Sequence, residues 1–500
     1  MVKFGVGQSV RRVEDDRLIT GGGRYADDFR APGQAYMVVV RSPYAHAKIL
    51  SIDTESARAA PGVVDVLTGQ ELQEAGLGEV SNAAVALIKQ RDGSPAFKTT
   101  RHVLAVDRVR HAGDAIAAVI AESEAEARDA AELEVIDFEE LPVVVDTEKA
   151  ADPSSPAIWE EAGSNLAYDW GKGDEEAARA AIANAHHVTK LKLINNRIVV
   201  NAMEPRAALG MYDKEQDRYT LHVPSQGVHG LRDRIANDTL KIAPEKLRVI
   251  TEDVGGGFGM KTFAYPEYPL VLYAAKKLGR PVKWTADRAE SFLSDTQGRD
   301  HVTEAQLALD AEGHILGIYI DTIANLGAYQ SQFGAFIPTL APRDMQAGVY
   351  KVPAIYNHVR AVLTNTVPVD AYRGAGRPEA SYLIERLMDK AGYETGLGPI
   401  EIRRRNFIPA EEMPYNQKPS LPFDSGDFNR NLNDALAKAD YEAFEKRRAE
   451  KAKEGKLLGL GLCYYVERTA AGMSEFAQLA VDAEANVVHV YTGSQTNGQG

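Results

Sequence analysis

The sequence predicts a chain of several domains built from mixed α+β and α/β units, and three stretches carry that expectation. Ala115 to Ala121, then Ser123 to Glu134, then Val135 to Phe138 read as strand, helix, strand. Leu247 to Ile250 has the residues of a buried strand, enters the longest glycine cluster of the chain, and is followed by a helix from Glu267 to Leu278. VDAYRGAGRPEA, Val369 to Ala380, repeats the order as strand and tight loop ahead of a helix from Ser381 to Ala391. At 500 residues the chain outgrows one hydrophobic core. Roughly 100 to 200 residues per domain then gives about two to four units.

In order, Arg11 to Asp28 is a polar leading segment with a Gly-Gly-Gly turn. Gln34 to Arg41 and Val63 to Leu67 have the β-branched content of strands. His46 lies between them without a second ligand at metal spacing, so it is read as a structural or exposed histidine. Ser123 caps the next helix with Glu126 three residues on, a capping-box pattern. Lys149 to Asn165 lacks periodicity and holds proline and serine, which makes it the expected linker after a first domain, 1–148. Glu175 to Ala185 is an alanine-rich helix capped by Asp174, and His187 to Val200 and Tyr219 to Val223 are strand-like. Gln226 follows at a strand end, ahead of a helical stretch from Leu231 to Leu240. Glu267 to Leu278 closes on Gly279 with two lysines in its last turn. Pro281 to Ala286 and Val302 to Leu309 read as strands, Gly313 to Asn325 as a strand pair, Lys438 to Lys453 as a charged helix, and Leu457 to Val466 as an apolar strand. Gln478 to Tyr491 then leads to TGSQTNGQG, an ending that reads as the interior of a longer chain.

Composition narrows the function. With 44% hydrophobic and 26% charged residues the chain is an ordinary globular protein, and a net charge of −14 disfavours a nucleic-acid partner. The N-terminus shows no signal-peptide pattern, and no segment approaches the ~20 apolar residues of a membrane span, so a cytoplasmic protein is expected. The one cysteine, Cys463, lies in an apolar context and is read as a small buried residue. One cysteine holds no disulfide, thiolate zinc site or iron–sulfur cluster within this chain.

The cluster Gly255, Gly256, Gly257 and Gly259 surrounds one large residue, Phe258. Missing Cβ atoms let backbone approach a group closely and bare successive N–H donors, which suits a phosphate or the edge of a pterin. Met260 stands where a P-loop or a dinucleotide fingerprint needs glycine, so both readings fail on spacing. Taken alone, a glycine-rich turn is preferred. Arg373 and Arg377 stand where guanidinium groups could meet an anion at a helix N-terminus, or form a surface ion-pair loop.

PSQG at 224–227, EDVGGGFGMK at 252–261, AYRGAGRPE at 371–379 and GSQTNGQG at 493–500 together resemble the molybdopterin-binding large subunits of the xanthine oxidase family. The likeness is to the aerobic carbon monoxide dehydrogenase-like branch. RLITGGGRYADD, RSPYAHAKI and VRHAGDAIAAVIAES resemble that family's N-terminal a/b hammerhead domain. The resemblance implies a hammerhead at 1–148, a linker at 149–165, a first molybdopterin-binding domain at 166–420 and the start of a second at 421–500. It places Gln226 near the molybdenum's oxo ligand, and Gly257, Phe258 and Gly259 beside the metal and its dithiolene. Arg373 and Gly374 fall in a second active-site loop, Ala375 at the substrate pocket, and Gln499 and Gly500 on the pterin. The resemblance also implies that no side chain here is a metal ligand, since in that family the pterin's sulfurs hold the molybdenum.

The implied activity is oxidative hydroxylation of an N-heteroaromatic compound or an aldehyde, with water as the oxygen source. The implied cofactor is molybdopterin cytosine dinucleotide, with neither flavin nor iron–sulfur cluster here. Electrons would leave through a [2Fe-2S] small subunit and an FAD medium subunit in a dimer of heterotrimers. Two residues depart from the relatives' loops. Gly374 replaces the copper-binding cysteine of carbon monoxide dehydrogenases, and Ala375 replaces the phenylalanine that stacks on substrate in the xanthine oxidase-like branch. The family's general-base glutamate is expected beyond Gly500. Alternatives are carbon monoxide oxidation, a catalytically incomplete cofactor-binding fragment, and an unrelated glycine-rich nucleotide binder.

Overall fold

The alanine- and β-branched run Ala115–Ala121 forms strand β5, buried at every residue. Such a run has no solvent face, so it needs neighbours on both sides. The computed structural model describes residues 7–342, 345–417, 422–467 and 476–499. In it β5 pairs antiparallel with β1 (Ala35–Arg41) on one side and β3 (Val63–Thr68) on the other. β1 then pairs in parallel with β12 (Val282–Thr285), through Ala35 with Val282 and Tyr36 with Lys283. The sheet continues through β9 (Ala207–Asp213) and β10 (Arg218–His222) to β11 (Leu247–Ile250), giving seven strands. Strands from both sides of the 149–165 segment thus share one sheet. They share one core too, in which Met37, Val39 and Leu67 join Leu231, Leu270 and Trp284.

A three-stranded sheet of β4 (Arg108–Val109), β2 (Ala47–Asp53) and β6 (Val135–Glu140) covers the N-terminal part. A five-stranded sheet runs β7 (Leu166–Gly173), β15 (Ile355–Val362), β14 (Ile315–Asn325), β13 (His301–Leu309) and β8 (His187–Asn195). The Arg377–Glu394 and Gly398–Asn406 helices pack beside it over a core of Leu307, Ile318, Leu387 and Ile402. β16 (Ala477–Asp482) and β17 (Val487–Thr492) form a separate hairpin.

The caps expected at Ser123, Asp174 and Gly279 are present. Four expectations change. Gly313 to Asn325 holds one strand, Ile315–Asn325, and not a pair: Gly317 stays in β14 because a Cβ there would meet Ala181 of the overlying Glu175–Asn184 helix at 2.8 Å. Lys438 to Lys453 is the end of one helix, Phe428–Lys438, and a second, Phe444–Lys453, parted by Asp440 in the left-handed region. Leu457 to Val466 forms no strand, since the Tyr464 N–H donates to the Glu385 carboxylate at 2.6 Å and not to a neighbouring strand. In that segment Cys463 is exposed, not buried. His46 is buried and structural, with Nδ1 2.7 Å from the Pro142 carbonyl.

Candidate cofactor and active site

β11 ends at Ile250, and the chain enters the turn that carries the glycine cluster. Each position has its own steric reason. A Cβ on Gly255 would lie 2.5 Å from Glu204 Cβ, and one on Gly257 would lie 2.5 Å from Gln226 Oε1. Gly259 has φ +97°, and a Cβ there would strike the Ala371 carbonyl at 2.4 Å. Phe258, inside the cluster, also adopts a positive φ of 53°, a conformation that costs a bulky residue energy and that its neighbours must hold in place.

Those neighbours are the second loop. The Arg373 N–H donates to the Phe258 carbonyl at 3.0 Å, and the Arg373 guanidinium stands 6.0 Å from the Phe258 ring centroid. Arg299 fixes this loop from beneath, donating to the Tyr372 and Arg373 carbonyls at 2.9 and 2.7 Å. Asp370, just before it, accepts the N–H groups of Phe333 and Ala371, and burial raises its carboxyl to about 6. Gln226 closes the arrangement. Its N–H donates to the Lys261 carbonyl at 3.1 Å, and its Oε1 accepts the Gly259 N–H at 2.7 Å.

The result is a cavity of about 560 Å³ lined by Tyr25, Met203, Gln226, Phe258, Arg373, Gln499 and the backbone of 254–257 and 497–498. Gln226, Gly257, Phe258, Arg373 and Gln499 are therefore brought together. Gly259, Gly374 and Ala375 stand behind the lining, and Gly500 lies outside the described residues. The C-terminal segment reaches the glycine loop directly, since the Gly256 N–H donates to the Asn497 carbonyl at 3.2 Å and Gln495 bonds the Ser225 carbonyl. Arg377 does not join Arg373 on a common anion: it faces Glu467 at 3.4 Å and the Gly374 carbonyl at 3.3 Å.

The cavity suits a group held by hydrogen bonds. Gly257 and Phe258 line it, and their N–H groups donate to no acceptor among the described residues. No cluster of three metal-ligating side chains occurs among those residues either.

Residues 158–407 match the family model for the molybdopterin cofactor-binding domain, and residues 20–142 match the a/b hammerhead domain of aldehyde oxidase and xanthine dehydrogenase. The gamma subunit of the 6-hydroxypseudooxynicotine dehydrogenase complex of Paenarthrobacter nicotinovorans is 36% identical over 99% of this chain and 62% of its own length. The chain belongs to the molybdopterin-binding large subunits of the xanthine oxidase family. The carbon monoxide dehydrogenase large chain of Hydrogenophaga pseudoflava is 33% identical to this large-subunit chain over 93% of it and 58% of the relative. Quinoline 2-oxidoreductase from Pseudomonas putida 86 superposes on it with a TM-score of 0.91 at 33% identity, covering 99% of this chain and 63% of the other. The chain thus spans about three fifths of the length of these relatives.

Sequence reading of this large-subunit chain missed the pair behind the loop. Lys261 enters the sequence analysis only as the last residue of the EDVGGGFGMK motif, yet its ammonium is buried 2.8 Å from Glu204. Tyr25 and Met203 were not singled out as lining residues. The signal available was an acidic residue, Glu204, in the stretch NAMEPRAAL, with nothing there to name Lys261 as its partner.

Proposed function

We propose that this chain carries the cofactor of a molybdenum hydroxylase that oxidises an N-heteroaromatic or aldehyde substrate with oxygen from water. The observation that carries this reading is the convergence of Gln226, residues 255–258, Arg373 and the 497–499 segment on one cavity. When bound there, a molybdenum–pterin group supplies a two-electron acceptor and an activated oxygen derived from water. Gln226 and the free N–H groups of Gly257 and Phe258 orient that group by hydrogen bonding, and Gln499 holds its pterin side. Arg373 adds positive charge at the same wall. The reaction also needs a proton acceptor, and no carboxylate lines the cavity among the described residues. That role falls to a glutamate outside this lining.

The substrate class follows from the rim. Met203, Tyr25 and Phe258 present thioether and aromatic surface to the cavity. Relatives named nicotine 6-hydroxylase and quinoline 2-oxidoreductase act on nitrogen heterocycles of that shape. Carbon monoxide oxidation at a copper thiolate is disfavoured, because Gly374 has φ +94° and a Cβ there would lie 2.3 Å from Pro378 Cγ. The cofactor is proposed as the cytosine dinucleotide form, and the partners as a [2Fe-2S] small subunit and an FAD medium subunit, paired as a dimer of heterotrimers in the cytoplasm. A relative named as one subunit of a dehydrogenase complex supports partner chains. Among the described residues no helix is long and apolar enough to cross a membrane.

Metal analysis of the chain purified with its coexpressed partner subunits tests this. About one molybdenum per protomer without copper, with turnover of a nitrogen heterocycle or an aldehyde by a dye acceptor, is the expected result. Stoichiometric copper would favour carbon monoxide oxidation, and a well-folded complex without either metal would end the reading.

A further inference from the structure

Both ends of the glycine loop are fastened to one carboxylate. Glu204 Oε2 accepts the Gly255 N–H at 2.8 Å and the Lys261 ammonium at 2.8 Å, while its Oε1 accepts the Ala26 N–H at 3.1 Å. The Glu204 N–H donates in turn to the Gly255 carbonyl at 3.0 Å. Between the two fastened ends lie Gly256 to Met260, of which Gly256, Gly257 and Phe258 line the cavity. Three chain segments far apart in sequence meet at this carboxylate, and the preceding residue, Met203, itself lines the cavity.

The ion pair also reaches Gln226. Lys261 is buried, burial draws its ammonium below the ordinary lysine range, and Glu204 is the group that favours its charge most. Its carbonyl is the acceptor for the Gln226 N–H, and the Gln226 amide is held by Gly259, inside the clamped loop. Moving Lys261 therefore disturbs the acceptor of the Gln226 backbone N–H and, through the clamped loop, the Gly259 N–H that holds its side-chain amide. A surface ion pair would have no such consequence, since two solvated side chains can part without shifting backbone.

We infer that Glu204 is a positioning residue, which through Lys261 and Gly255 sets the place of the Gln226 amide and of the glycine-loop N–H groups that receive the cofactor. The inference rests on the proposed presence of the molybdenum–pterin group in this cavity. Asp253 does a related task one step earlier, accepting two Arg17 N–H bonds at 2.6 Å and the Arg24 N–H at 2.7 Å. It anchors the leading segment and touches neither end of the loop wall.

The test compares Glu204→Gln, Glu204→Asp and the double variant Glu204→Gln/Lys261→Met, each purified as the full complex with its partner subunits. Three quantities are read: molybdenum per protomer, amide hydrogen exchange over residues 255–261 in cofactor-free protein, and kcat against KM. Glu204→Gln is expected to lose about tenfold in molybdenum content, as when partners that orient a metal's ligand shell are removed. Exchange should quicken over 255–261 but not over β5, and kcat per molybdenum should fall more than KM rises. Glu204→Asp, which keeps the charge, should recover most of the molybdenum. If Glu204→Gln alone fails to fold, the double variant decides, because replacing both members of a buried pair with neutral groups of similar volume is tolerated. It should regain the wild-type thermal midpoint without regaining molybdenum. Wild-type molybdenum content and exchange in the double variant would overturn the inference while leaving the proposed function standing. A wild-type complex without molybdenum would overturn both.

Discussion

Gln226 holds its place by two hydrogen bonds to the loop it faces, and the absence of one methyl group makes room for it. Gly257→Ala would put a Cβ 2.4 Å from Gln226 Cδ, the far end of a flexible side chain, so the amide would swing away before the backbone moved. Unfolding free energy should then fall by only about 1 kcal/mol, the worth of one hydrogen bond. Turnover should fall about 10²-fold, as for an ångström-scale misplacement of a catalytic group. Urea denaturation beside steady-state kinetics checks the pair of effects, and equal damage to both would refute the steric argument. Gly374→Cys behaves in the opposite way. There the obstacle is the Pro378 ring 2.3 Å away, and φ +94° costs a side chain about 1–2 kcal/mol more. The variant should be less stable and gain no copper. A copper-loaded variant that oxidises carbon monoxide would show the loop to be far more yielding than its contacts indicate.

Elements meet beneath the site through a buried network. Arg206 on the end of the 195–207 connection donates to Glu267 at 2.7 Å and to Asp295 at 2.5 Å, and lies 3.7 Å from the Tyr265 ring centroid. Arg41 of β1 reaches the same Glu267 at 2.6 Å. Burial opposes ionisation of Glu267, but Arg206 and Arg41 outweigh it and hold its pKa at about 2, below the ordinary 4.5. A depressed carboxylate stabilises the fold fully above its unfolded value. That contribution should therefore fade as pH falls from 4.5 toward about 2. Glu267→Gln leaves two buried arginines short of charge and should cost about 3–5 kcal/mol at neutral pH. Denaturation midpoints measured from pH 7 downward should show the variant losing less of its remaining stability on acidification than the parent does. Parallel curves for the two proteins would rule out the network as the source.

At the scale of the whole molecule, the N-terminal part does not own its sheet. β1 leans on β12, and the side chains of Met37 and Val39 finish a core made largely by residues beyond 200. Residues 1–148 expressed alone should therefore expose an unpaired strand edge and apolar surface, and aggregate or bind a hydrophobic dye. A monomeric, dye-silent 1–148 with cooperative melting would contradict this. The shared sheet also explains how the leading segment takes part in the site. Residues 17–26 reach Asp253 and Glu204 because β1 brings the N-terminus alongside the strands that carry the glycine loop.

Local chemistry was legible in the chain itself. Caps at Ser123, Asp174 and Gly279, the buried run of β5, the four glycines at 255–259 and the arginine loop at 371–377 each depend on residues within a few positions of one another, so their pattern survives in one dimension. The motif order also pointed to the family and to five residues that line the cavity, Gln226, Gly257, Phe258, Arg373 and Gln499. Partnership across distance was not legible. Glu204 and Lys261 stand 57 positions apart and Arg206 and Glu267 stand 61 apart, and a charged residue does not encode which of many opposite charges will neutralise it. The helix that requires Gly317 to lack a side chain lies more than 130 residues earlier, so nothing near Gly317 in the sequence ties it into a single strand. Spacing and backbone propensity act along the chain and set the elements. Desolvation acts in space, so only the packed structure decides which polar groups must find each other and which loop they hold in place.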